Sequence, residues 1–117
     1  MRLVGEPFQN SDTCRGEAYV AKGAPSDMAI ITITGRYPEA GSWALNRECY
    51  EFVVVARGVG RVAIDGAWHG LKPGDGVSIP PGTLFAWDGD MTIAMPCTPP
   101  FNPEQYEIIK IEKEEKS

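Results

Sequence analysis

The chain has 117 residues, 43% hydrophobic and 23% charged, with a net charge of −5. That is the length of one domain and enough to bury a core without metal or disulfide staples. The acidic balance disfavours nucleic acid as a partner, no apolar run approaches the ~20 residues of a bilayer span, and the opening MRLVGEPFQNSD lacks the apolar centre of a signal peptide. The expectation is a cytoplasmic protein that binds neither nucleic acid nor membrane.

In chain order, Leu3-Val4 reads as a short strand ended by Gly5-Glu6-Pro7, and residues 9–12 as loop. Residues 17–22 read as a loose strand and 23–27 as a turn. The β-branched run MAIITIT at 28–34 predicts a strand. Residues 36–42 are loop, 43–45 a strand, and 46–48 a turn. CYEFVVVAR at 49–57 is the strongest strand, and its nearly continuous apolar character implies burial on both faces. Gly58-Val59-Gly60 predicts a tight turn into a strand at 61–64, and Asp65-Gly66 a type I′ hairpin. Gly74-Asp75-Gly76 predicts a turn. Residues 77–79 form a short strand stopped by Pro80-Pro81-Gly82, and 84–87 start the next. Asp88-Gly89-Asp90 predicts another turn before a strand at 91–95. Asn102 and Pro103 read as the N-cap and first position of a short helix. A strand at 106–111 and a frayed charged tail at 112–117 close the chain. Many short strands between Gly/Pro turns, with no long apolar stripe of helical period, predict one all-β sandwich or barrel domain over residues 1–117.

Gly74, Pro80 and Gly82 resemble, in identity and spacing, the glycines and proline of the second conserved motif of the cupin family. Glu51 followed by Gly58 resembles the end of that family's first motif. Two motif skeletons in the right order, within residues 40–100, imply the cupin fold, a double-stranded β-helix or jelly-roll barrel. In the family, the first motif also carries a histidine pair, and the second a histidine and an asparagine. Here the pair falls on Ala44 and Asn46, or on Leu45 and Arg47, while Phe85 and Gly89 occupy the second-motif positions. The chain's single histidine, His69, lies elsewhere. The family's metal site uses three histidines and a glutamate, so Glu51 alone remains of it. The expectation is therefore no metal and no other cofactor. The resemblance also implies a homodimer, which would cover exposed sheet edges.

If the motif holds, Glu51 points into the barrel. A buried carboxyl must be paired, hydrogen-bonded or protonated. This makes Glu51 the candidate ligand anchor or general acid/base; the alternative is a structural carboxylate paired with Arg36 or Arg47, or a remnant facing ordered water. Asn46, Trp43, Phe85, Trp87 and Met95 complete the candidate ligand site, with Phe85 and Trp87 on one strand face by the period-two rule. They either line a pocket for an apolar or ring-shaped molecule or fill the barrel solid. Arg36, Tyr37 and Tyr50 are weaker candidates at a barrel mouth, with Arg36 and Tyr37 expected at the surface. Cys49 shares a strand face with Glu51. His69 reads as a solvated turn residue, and Cys14, Cys49 and Cys97 as buried reduced thiols. The leading reading is a metal-independent protein that binds a small molecule in its barrel. The alternatives are a metal-free isomerase, epimerase or lyase using Glu51 as acid/base, and a filled-barrel assembly module.

Overall fold

Side chains alternate across a strand, so a half-buried sheet sorts its sequence by parity. In the computed structural model, which describes residues 1–111, strand β3 (Asp27–Thr34) buries Ile31 and Ile33 while Met28 and Thr34 face out. The predicted tail at 112–117 lies outside the described residues. The other strands are β1 (Glu6–Ser11), β2 (Cys14–Tyr19), β4 (Ser42–Asn46), β5 (Tyr50–Ile64), β6 (Ala67–Leu71), β7 (Gly76–Ile79), β8 (Leu84–Thr98) and β9 (Tyr106–Lys110). A single 3₁₀ turn, Pro103–Gln105, precedes β9, with the Asn102 side chain accepting from the Glu104 N–H as the predicted cap. Among the described residues no helix is long and apolar enough to cross a membrane.

All the pairings are antiparallel. The order is β1-β2-β3-β8-β4-β9, and β5 pairs with β6, β7 and β8. This curled sheet is the expected all-β cupin fold. Ile33, Val53, Val55, Val62, Ile79 and Ile93 are fully buried and fill part of the barrel.

Three predicted features differ. The strand at Leu3-Val4 is absent, and β1 starts instead at Glu6 and runs through the predicted loop. Pro7 is tolerated there because β1 is an edge strand, where a missing N–H breaks no ladder bond. Strand β5 is not buried on both faces: Phe52 and Val54 are 56% and 49% exposed, while Glu51, Val53 and Val55 are buried. And the turns predicted at Gly58-Gly60 and Asp88-Asp90 do not exist. β5 and β8 each run unbroken for 15 residues, with Gly60 opposite Gly89 and a bulge between Val55 and Arg57.

Those glycines serve close backbone approach at a bend rather than reversal. A Cβ on Gly89 would lie 2.4 Å from the Gly60 Cα, and Gly89 holds a φ of +126°. Gly89→Ala is therefore expected to destabilise the fold by about 2 kcal/mol or more. Chemical denaturation checks this; a loss under about half that figure would mean the bend adapts.

Candidate functional site

The site begins at the turn before β9. Backbone N–H groups of Glu48 and Cys49 both donate to Gln105 Oε1, at 3.0 and 3.1 Å. Two incoming donors fix that amide's polarity, so its NH2 must point the other way. It donates to Asn46 Oδ1 at 2.8 Å. Asn46 is thereby fixed in turn, and its Nδ2 donates to Glu51 Oε1 at 2.9 Å. All three side chains are buried, with Asn46, Gln105 and Glu51 at 1%, 4% and 5% exposure. The result is a one-way relay of donors ending on one carboxyl oxygen.

That polarity has a chemical consequence. Oε1 accepts from Asn46, so a proton on Glu51 must sit on Oε2, which has no hydrogen-bond donor among the described residues. Burial pushes the Glu51 carboxyl up to about 7; the Asn46 hydrogen bond pulls it down, and the charge of Asp27 pushes it further up. Glu51 therefore exchanges its proton near neutrality, at a defined atom.

Glu51 borders a cavity of about 410 Å³. Its apolar walls include Phe8, Ile31, Phe85, Trp87, Met95 and Phe101. The Phe85 and Trp87 rings meet edge to face at 6.2 Å between centroids, a favoured aromatic geometry. Tyr37 and Tyr106 also line it, with their hydroxyls 2.7 Å apart. Burial raises both phenols above their usual value. Asp27, Cys97 and Glu51 form one transverse rung, since Cys97 pairs with Asp27 on β3 and with Glu51 on β5. All three line the cavity. Burial pushes the Cys14 thiol, also at the wall, up to about 11.

Of the predicted site residues, the structure places Glu51, Phe85, Trp87 and Met95 on the cavity wall. Asn46 stands behind Glu51 and acts through it. Trp43 is a correction. Ala44 pairs with Phe85 and takes the inner face, so the alternation turns Trp43 outward. There its ring sits 6.3 Å from Trp68, with the Arg36 guanidinium 5.0 Å from it.

The partner of Glu51 is an amide and not an arginine: Arg47 pairs with Glu107 at 3.0 Å, and Arg36 lies over Trp43 and Trp68. Tyr37, expected at the surface, is buried and lines the cavity, held by reciprocal backbone bonds to Trp87 at 2.8 and 2.7 Å. Tyr50 stacks on Phe52 instead. Cys49 donates to the Pro99 carbonyl at 3.5 Å. His69 lies exposed on β6, paired with Val62.

Sequence reasoning missed Asp27, Cys97, Gln105 and Tyr106. Only the pairing register brings them to Glu51. The one available signal was the Asn102-Pro103 cap, which fixes where Gln105 and Tyr106 fall.

The residues present do not fit the metal centre that the family resemblance implies. Its three imidazole positions hold Phe85 and either Ala44 with Asn46 or Leu45 with Arg47, none of them an imidazole, and among the described residues no group of three His, Cys, Asp or Glu is placed to hold a metal ion. Protein purified without affinity metal is expected to carry a transition metal at well below one per chain, as read by elemental analysis. One equivalent per chain would overturn that reading.

The fold and the cavity define a small antiparallel jelly-roll barrel with a chemically equipped interior. The cupin domain family model matches residues 37–94, which take in both motif skeletons, and the chain belongs to the cupin family. No curated protein matches the sequence. Among solved structures, the chain is similar to the nucleoside dehydratase Pac13, with a TM-score of 0.79 and 16% identity over 93% of this chain and 88% of that one. A Streptomyces PAC13 variant has been solved with uridine. KdgF from Halomonas sp. gives a TM-score of 0.67 at 12% identity, over 85% of this chain and 90% of that one. Ectoine synthase from P. lautus gives 0.68 at 12% identity, over 93% and 85%.

Proposed function

We propose that this cupin binds a small ring-bearing molecule in the barrel cavity, with Glu51 as its polar anchor. The observation that carries this reading is a buried carboxyl with one oxygen satisfied by Asn46 and the other left to the cavity. A volume of about 410 Å³ falls in the ordinary range of small-molecule sites, and apolar walls with few polar groups are their usual lining. A filled barrel would leave no such space.

The test uses naphthalene carboxamide, an uncharged ring with a hydrogen-bond donor, titrated calorimetrically. One molecule per chain is expected, with affinity falling about tenfold or more in Glu51→Ala as the ligand's donor loses its acceptor. Affinity unchanged in Glu51→Ala removes Glu51 from the site; no binding at all removes the cavity reading.

A second reading is favoured by the protonation of Glu51. A carboxyl that titrates near 7 on a defined oxygen is suited to general acid/base catalysis, and the two tyrosine hydroxyls stand on the same cavity. This supports metal-free proton-transfer chemistry of the lyase or isomerase kind. The likeness to a nucleoside dehydratase makes uridine the first compound to try as substrate. Turnover whose pH profile has no ionisation near 7 would separate Glu51 from that chemistry.

A further inference from the structure

The cavity carries a charge preference as well as a shape. Its titratable groups are Asp27 from β3, Glu51 from β5, Cys97 from β8, Cys14 from β2, and the hydroxyls of Tyr37 and Tyr106. Among the described residues no lysine, arginine or histidine lines it. Every one of these groups is either neutral or negative. The two carboxyls occupy one rung, two strands apart across Cys97, which sets their backbones roughly 10 Å apart. A ring of ordinary size entering between the walls lies within reach of both.

Their hydrogen-bond capacities point the same way. Asp27 Oδ2 accepts from the Phe101 N–H at 2.9 Å, and Glu51 Oε1 accepts from Asn46. The remaining oxygens, Asp27 Oδ1 and Glu51 Oε2, have no donor among the described residues. Glu51 is only 5% exposed, and the accessible part of its carboxyl is turned to the cavity. Such a site asks for donors. Two of the chain's arginines are paired away from the cavity: Arg61 with Asp88, where it also lies over Trp68, and Arg47 with Glu107.

We propose that the cavity selects a ring-bearing molecule that is uncharged or cationic and carries a hydrogen-bond donor, and that Asp27 and Glu51 together exclude anions such as phosphorylated or carboxylated forms of the same ring. This rests on the binding reading above and names the ligand class of that site. A negative group placed against these carboxylates is opposed, whereas an amidinium or amide edge brings donors to oxygens that have none among the described residues.

The test is a matched series at about pH 8: naphthalene carboxamidine, carboxamide and carboxylate, alike in size and differing in charge. Carboxamidine is expected to bind at least as tightly as carboxamide, and carboxylate about tenfold or more weakly. In the double variant Asp27→Asn, Glu51→Gln, the gap between carboxamide and carboxylate is expected to close. Both replacements keep an acceptor oxygen, for the Phe101 N–H and for Asn46, so the local hydrogen bonds persist. A wild-type gap below that figure, or a gap the double variant leaves unchanged, overturns the charge selection while the binding reading stands. If none of the three binds, it is the binding reading that fails, and the selection fails with it.

Discussion

Glu51→Gln is expected to raise the melting temperature at about pH 8 and to leave it nearly unchanged at about pH 4. The carboxyl titrates at 4.5 when unfolded and at about 7 when folded. Below 4.5 both states hold the proton, and the site contributes no pH dependence. Between 4.5 and about 7 the folded state keeps a proton that the unfolded state has released. Stability then falls as pH rises, because the folded state binds more protons. Above about 7 both are ionised and the loss is complete. At roughly 1.4 kcal/mol per unit, the wild type forgoes on the order of 3 kcal/mol at alkaline pH, equivalent to roughly 10 °C in a domain of this size. Glutamine escapes it, since its Oε1 still accepts from Asn46 while its NH2 faces the cavity. Thermal denaturation of both proteins from pH 4 to 9 reads the effect. Parallel curves would show that Glu51 is solvated or paired in the folded state.

Such a cost marks a group positioned for something other than stability. Nothing in the packing requires a carboxyl opposite Cys97; an amide would serve the relay equally well. The carboxyl adds only what an amide lacks, a proton it releases near neutrality and a charge that tells anions from cations.

Much of the barrel was legible in local sequence. Asp65-Gly66 is a hairpin turn, with φ of 47° and 88°, and the Asn102-Pro103 cap stands where it was read. The same reasoning failed at Gly58-Gly60 and Asp88-Asp90, for one physical cause. Glycine marks either a reversal or a place where two backbones touch, and the chain alone does not say which. Here the two clusters face each other, and each explains the other. The inward set on β8 followed from parity: Phe85 and Trp87 share a face because they are two residues apart. Trp43 failed by the same rule, since it is Ala44 that faces Phe85. Asp27 and Tyr106 were out of reach because a site assembled across β3, β5, β8 and β9 depends on register, which no single strand specifies.

Asn46→Ala is expected to damage both the polar network and the proton site on Glu51, at about 3–5 kcal/mol. It strips Glu51 Oε1 of its donor and the Gln105 NH2 of its acceptor, and each orphaned buried group costs roughly 1–3 kcal/mol. A further penalty follows from the small cavity left at a position only 1% exposed. The Asn46 hydrogen bond is also what lowers the Glu51 carboxyl, so its loss moves that titration further above 7. Gln105→Ala leaves a different set unmet, the N–H groups of Glu48 and Cys49 and the Oδ1 of Asn46. It damages the turn into β5 without taking the donor from Glu51. The two variants therefore separate. Both lower the denaturation midpoint, but a direct shift in the Glu51 titration, followed by carboxyl NMR, is expected in Asn46→Ala and much less in Gln105→Ala. A double-mutant cycle of Asn46→Ala with Glu51→Gln measures how much of the effect passes between them. A coupling near zero would mean that the two side chains share a distance but no energy, and that the relay does not set the state of Glu51.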